Sequence, residues 1–453
     1  MMHLWKKSTL FSLGLILLAP FAVSYGDAST TGTPRLMEGP MVGAVSSTEI
    51  SVWVRASGEF PLALEYDQKA DFKSSKRTEK VVPSIEKDDR TAVLRMSGLE
   101  ADTLYHYRIL INDKPAPYIG AFCARTAPAG PARFTVSFGS CPRYQQDPVQ
   151  NIWKGLEKVA PDLFFWLGDN IYGDTFDPDI LAECYRYQRA VPNSRHFLAT
   201  TPQLAIWDDH DFSLNNHNRT NPIKEASLGV FKRYWANPSY GLPETPGVFF
   251  KYHYGGVDFF FLDVRYHRDP NTEPDSPEKT HLGKEQLAWL KEELLASRTP
   301  FKVLVSGGGF SNEKGPKGDS WASFLYERNN LFDFIRDREI SGVLCFSGDT
   351  HVGEFNAIPW SEKGGYDFYD LDSSPLAQKA SDNWKQRTPE IRLRMPYQAN
   401  NAGLVEFDMT AEPPTVRLNL MTETGEPVWD PVVLTSDDLK NGTATAEANI
   451  KLD

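Results

Sequence analysis

The 453-residue chain reads as an α/β protein in two parts, a layered αββα domain preceded by a small all-β sandwich. Three observations predict this. From Phe134 onward, nearly continuous apolar runs recur (Phe134 to Phe138, Leu163 to Leu167, Leu204 to Trp207, Val257 to Leu262, Phe301 to Val305, Val343 to Phe346), the pattern of strands buried on both faces. Apolar residues at helical spacing stand between several of them, as in Ile152, Leu156 and Val159 or in Leu287, Leu290 and Leu294. Upstream, residues 35–127 hold short runs that alternate apolar and polar, and the Pro/Gly-rich stretch Ala127 to Pro131 marks a boundary.

The elements follow in order. Residues 1–26 are expected to be an export signal: Lys6 and Lys7, an apolar run from Leu10 to Val23, then the small residues Ser24 and Gly26 before Asp27. The run is too short to span a membrane comfortably, so a Sec-type signal and a periplasmic or secreted protein without a transmembrane segment are expected. In the upstream module, Ile50, Val52 and Val54 alternate with Ser51, Trp53 and Arg55. The later stretch Leu99, Thr103, Tyr105, Tyr107 resembles the Tyr-bearing strand of fibronectin-III/Ig-like sandwiches, where a phenol bonds back across the corner. The second domain is expected over 132–435, with alternation returning at Val405, Phe407, Val416, Leu418 and Leu420, and a tail over 436–453.

Composition sets limits on function. Apolar residues at 41% and charged residues at 24% are ordinary for a globular chain. With 60 acidic against 48 basic residues the net charge is −12, which argues against general binding to nucleic acid or an anionic membrane. Four cysteines (Cys123, Cys141, Cys184, Cys345) allow three pairings and no clustered Cys pair, so a structural zinc protein is not indicated.

Five strand ends lead at once into polar residues. These are Ser140-Cys141; Gly168-Asp169-Asn170-Ile171-Tyr172 with Asp174; Asp208-Asp209-His210-Asp211; Asp263 with Arg265 and Arg268; and Gly348-Asp349-Thr350-His351. Side chains at the carboxyl ends of neighbouring strands converge on one crevice. One Asp pair is usually a cap or turn; three acid/His clusters, each just past a buried strand, would repel one another unless cations lie between them.

These blocks resemble the calcineurin-like metallophosphoesterases, and more closely the PhoD-like alkaline phosphatase family. There the first block reads S-C, the second G-D-x-I-Y, the third W-D-D-H-D/E followed by Asn, and the last G-D-x-H. Here they stand as Ser140-Cys141, Gly168-Asp169-Asn170-Ile171-Tyr172, Trp207-Asp208-Asp209-His210-Asp211 with Asn215, and Gly348-Asp349-Thr350-His351. Ser213 and Asn216 depart from the family's usual Gly and Asp, and Lys6-Lys7 replaces a twin-arginine signal. The resemblance covers about residues 35 to 435. It implies a metallophosphoesterase-type catalytic domain and an exported, metal-dependent phosphatase with a dinuclear or multinuclear site.

The resemblance also assigns roles. Cys141, Asp169, Tyr172, Asp209, Asp349 and His351 would hold metal, with Asn215 a further ligand and Asp169 the bridge. His210 would protonate the leaving oxygen and Asp211 would orient its imidazole. The thiolate and phenolate favour iron, and oxygen-rich positions such as Asp208 leave room for calcium; zinc or manganese are the alternatives. A disulfide, with Cys123 as partner, is the other reading of Cys141. Arg265, Arg268 and Arg143 are candidates for phosphate, since a guanidinium fork matches phosphate oxygens. The substrate would be a small phosphate ester or a phospholipid. A phosphodiesterase or phospholipase-D-like hydrolase on the same scaffold, and a non-enzymatic secreted binding protein, remain the other readings.

Overall fold

The computed structural model describes residues 32–443 except 312, 313, 316 and 317; the expected signal segment and the end of the C-terminal tail lie outside the described residues. Strands Leu36–Val45, Glu49–Ala56 and Thr91–Ser97 form one antiparallel sheet, and Leu62–Asp67, Leu104–Ile111 and Phe122–Arg125 form most of a second. The alternation seen in the sequence is kept at Tyr105 and Tyr107, which are buried between less buried neighbours, and gives way at Ile109, after which Leu110 and Ile111 are buried too. The hydroxyl of Tyr105 accepts from the backbone N–H of Glu100 at 2.9 Å, the corner bond the sequence pattern predicts.

Two mixed sheets follow. The first runs in the order Gln203–Ile206, Leu163–Leu167, Arg133–Gly139, Asn401–Asp408, Thr415–Thr422, Val432–Thr435, with the first three parallel and the rest antiparallel. The second runs Phe250–Tyr254, Val257–Phe261, Phe301–Gly308, Val343–Gly348, Phe368–Asp372, Glu354–Ile358, Ile391–Arg392.

Period-two alternation explains how the layers stack, because successive side chains leave opposite faces of a strand. Phe165 turns inward to Phe259 and Phe261 of the other sheet, at 5.0 and 4.9 Å between ring centroids. Its neighbours Phe164 and Trp166 turn outward to Trp153 on helix Ile152–Val159. Phe138 and Phe346 stack across the two sheets at 4.4 Å, while Phe368 stacks on Phe332 of helix Leu325–Asp337 at 4.0 Å. Helix, sheet, sheet and helix are therefore layered, with the inner faces dry: all five residues of Leu163–Leu167 are fully buried. Among the described residues no helix is long and apolar enough to cross a membrane.

The all-β module is bolted to the larger domain. Asp89 accepts from Arg55 within the module at 2.9 Å, and from Arg186 on helix Pro178–Arg189 at 2.7 Å. It also accepts from the hydroxyl of Tyr234, at the end of helix Lys224–Tyr234. Trp53 donates its indole N–H to the carbonyl of Arg233 at 2.7 Å, and Tyr107 its hydroxyl to that of Ala199 at 2.6 Å. All four cysteines are free thiols, so the disulfide reading of Cys141 is not met.

Candidate metal centre

The carboxyl ends of five parallel-paired strands deliver the polar blocks to one place. After Arg133–Gly139, Leu163–Leu167 and Val343–Gly348 the chain turns through left-handed backbone: φ is 62° at Cys141, 48° at Asp169, 73° at Asp349 and 56° at His351. L-residues avoid this region, and its concentration here shows backbone strain held in place by the surrounding layers. Gly168, at φ 95°, is required for a different reason: a Cβ there would meet the Cβ of Asp208 at 2.5 Å. That close approach brings the second and third blocks side by side.

Three donor groups result, each with its atoms mutually within 4.8 Å: Cys141, Asp169 and His351; Asp169, Asp209 and His210; Asp208, Asp209 and Asp319. Asp169 belongs to the first two groups and Asp209 to the last two. Cys141 Sγ is 3.4 Å and the Tyr172 hydroxyl 3.2 Å from Asp169 Oδ2, and that hydroxyl is 3.3 Å from His351 Nε2. Gln378 donates its amide to the Tyr172 hydroxyl at 2.5 Å and reaches His351 Nε2 at 3.0 Å. Asp349 is brought to the same rim, where the ammonium of Lys314 pairs with it.

Electrostatics test whether these residues suit a cation. Burial, with Cys141, Asp209 and Asp208 adding to it against His210, holds the Asp169 carboxyl well above the usual range. Burial pushes Asp208 up to about 8 despite Arg265, and burial with the charge of Asp349 pushes the Cys141 thiol up to about 12. Burial lowers His351 to about 4. Left to itself the site would hold Asp169, Asp208 and Cys141 protonated and the His351 imidazole neutral, whereas a cation makes the carboxylates and thiolate the stable forms. Among the described residues, Asp208 Oδ2 and Asp209 Oδ1 are buried without a hydrogen-bond partner, so acceptor capacity is left over for one. The residues therefore fit metal. The thiol, phenol and imidazole gather at one end and the carboxylates at the other, a soft-to-hard gradient across the site.

Several expected partners are placed differently. Asp211 does not touch the His210 imidazole: it accepts from the N–H groups of Asn170 (3.0 Å) and Asp208 (3.2 Å) and from the Tyr185 hydroxyl (2.9 Å). Its job is to fix two ligand-bearing loops, and the reason is local: it is the N3 residue of the short helix Asp209–Phe212 and closes a capping box with Asp208. The imidazole Nδ1 meets Asp174 Oδ1 at 2.5 Å instead. Burial works to lower His210, but the charge of Asp169 and the bond to Asp174 win and push it up to about 10.

The arginines separate. Arg265 is 1% exposed and spends its fork on Asp208, Asp319 (2.7 Å) and Asp209 (3.7 Å); Arg268, equally buried, pairs with Asp319. Neither guanidinium is open to a substrate in this arrangement, because buried carboxylates claim both. Arg143 is half-buried and lies over the Tyr172 ring at 4.4 Å, and its Nε makes no hydrogen bond among the described residues. Asn215 lies exposed in the following loop, while the N–H of Asn216 bonds Asp209 Oδ2 at 2.6 Å. Asp174, Asp319, Lys314 and Gln378 were not assigned from sequence. Asp174 stands two residues past the second motif and could have been; the other three lie in stretches with no recognisable spacing.

An α/β fold of two stacked sheets with a metal-competent crevice at the strand ends defines the class: a candidate metal-dependent hydrolase. The family profile described as PhoD-like phosphatase matches residues 180–418, and the chain belongs to that family. A second profile, a domain of unknown function (DUF7800), matches residues 33–118. The chain is 26% identical over 410 residues to alkaline phosphatase D of Bacillus subtilis (strain 168), covering 75% of this chain and 69% of that one. Two solved structures share the fold. One is described as the structure of PhoD (TM-score 0.73, 18% identity, 91% of this chain and 93% of the other). The other is purple acid phosphatase PPD1 from yellow lupin, Lupinus luteus (TM-score 0.64, 11% identity, 87% and 74%).

Proposed function

We propose that this hydrolase of phosphoric esters is exported and works as an alkaline phosphatase D-like enzyme with a multinuclear metal site. The observation that carries the reading is the sharing of Asp169 between two donor groups, one with Cys141 and His351, the other with Asp209 and His210. Cys141, Asp169, Tyr172 and His351 would hold iron, with Asp349 at the same rim; Asp209, with Asp208 beside it, would hold a harder ion such as calcium. When bound, the ions supply Lewis-acid polarisation of the phosphoryl oxygens and an activated water.

The chain's own residues do the rest. His210 holds a proton on the ring nitrogen opposite Asp174 and passes it to the departing alkoxide. Asp174 fixes the ring by its bond to Nδ1. Arg143, stacked on Tyr172, offers its fork to the phosphoryl oxygens. Arg265 balances the buried charge of Asp208, Asp209 and Asp319 and keeps them aimed at the site. Upstream, residues 35–127 form a fibronectin-III/Ig-like sandwich, a reading the Tyr105 corner bond supports. The catalytic domain spans 132–435, and the substrate is a small phosphate ester or a phospholipid.

Elemental analysis of purified protein, paired with turnover of one phosphomonoester and one phosphodiester, tests this. Bound iron with monoester turnover agrees with it. Turnover of the diester alone moves the assignment to a phosphodiesterase. A fully loaded protein inert on both esters overturns the reading in favour of a binding protein.

A further inference from the structure

Where the all-β module meets the larger domain there is a cavity of about 350 Å³, away from the strand-end crevice in both its lining and its chemistry. Its walls include Arg35 and Glu38 of the module and Arg189 and Arg195 of the larger domain, with Tyr118 and Gly120 nearby. Arg189 is 2% exposed, and among the described residues its Nε and Nη1 have no hydrogen-bond partner, while Nη2 donates to the carbonyl of Tyr234 at 3.2 Å. Its guanidinium lies over Trp235 at 4.0 Å, with Trp166 and Trp53 at 5.5 and 5.9 Å.

A buried cation normally carries a carboxylate, because burial strips its hydration and leaves the charge uncompensated. Here Asp211 acts on the charge without pairing with it. Among the described residues Arg35, Arg189 and Arg195 make no ion pair, and the carboxylate in the lining, Glu38, is held by Arg55 at 2.9 Å. Aromatic faces offset part of the charge of Arg189, and burial still drags it down to about 10. Three guanidinium groups that make no ion pair among the described residues stand around one cavity, a concentration of positive charge in a chain of net charge −12.

We infer that this cavity is a second, non-catalytic oxyanion site that takes inorganic phosphate between Arg35 on one side and Arg189 and Arg195 on the other. Arginine forks suit tetrahedral oxyanions, and charge-assisted bonds of this kind are the strong ones. The choice of phosphate rests on the proposed function, since ester hydrolysis releases it; the site itself does not. Because the arginines come from both parts of the chain, a bound anion ties the module to the larger domain.

The test uses the metal-loaded protein and its double variant Arg35→Gln/Arg195→Gln, both at exposed positions, so the fold is retained. Inorganic phosphate is titrated calorimetrically at constant chloride concentration. The variant should bind one phosphate fewer per chain than the parent, and the rise in thermal midpoint with phosphate should shrink, while initial turnover at low phosphate is unchanged. Equal stoichiometry and equal thermal response in the two proteins overturn the inference. Because turnover is followed separately, an inactive parent that still binds the anion would sink the catalytic reading and leave this one standing.

Discussion

Nδ1 of His210 lies 2.5 Å from Oδ1 of Asp174, a carboxylate 36 residues earlier in the chain, while the adjacent Asp211 turns into the protein to hold Asn170 and Asp208. This pairing sets a pH dependence. His210 is pushed up to about 10, so its protonated form persists through neutrality and is lost as pH rises through that value. Removing a partner that raises the pKa lowers it. Asp174→Asn should therefore move the alkaline limb of the pH–rate profile for alkyl phosphates to lower pH by about one unit, leaving the acid limb in place. An unmoved alkaline limb would detach Asp174 from the proton donor.

His210 itself separates leaving groups. A general acid matters when the departing alkoxide is basic and little when it is a stable nitrophenolate. His210→Ala should cut turnover of alkyl esters by about 10²–10⁴-fold and that of nitrophenyl esters far less, with metal content near normal. Equal losses together with lost metal would make His210 a ligand, a role its place beside Asp169 and Asp209 also allows.

Cys141 and Tyr172 flank Asp169 from two sides. If both bind ferric iron, the purified protein is coloured. Tyr172→Phe should shift or bleach the visible band, and Cys141→Ser should lower iron content and activity together, because a hydroxyl is a far poorer ligand than a thiolate. A colourless, iron-free protein of full activity refutes the assignment.

Arg265 gives a contrast between positioning and phosphate binding. Arg265→Gln would leave Asp208, Asp209 and Asp319 buried without their counter-charge, a loss of about 3–5 kcal/mol in chemical denaturation. Arg265→Lys should recover part of the stability but not the metal content, since a point charge cannot hold three carboxylates as a fork does. An intact stability with a raised KM would return Arg265 to the substrate.

The strand-end blocks were legible because each is short, contiguous and attached to a buried run: Leu163 to Leu167 announces a strand, and Gly168-Asp169 follows it without a gap. The same contiguity misled at Asp211, whose nearness to His210 in sequence is undone by the helical turn Asp209–Phe212, which sends adjacent side chains about 100° apart. Asp319 and Gln378 were illegible for the opposite reason. Each reaches the site from a connection of irregular backbone, where no period ties residue type to direction. The corner Tyr105 could be read because its bond is local, to Glu100; the bolt through Asp89 could not, because its partners lie 97 and 145 residues away.

That bolt bears on how the protein would come apart. Asp89 grips Arg186 and Tyr234, Tyr234 stacks on Tyr185 at 5.0 Å, and Tyr185 donates to Asp211 beneath the metal-facing loops. A protease that nicks the linker from Ala127 to Pro131 would cut one chain into two pieces without releasing either. The fragments would travel together on a sizing column and melt in a single step, because the surface each needs covered is supplied by the other.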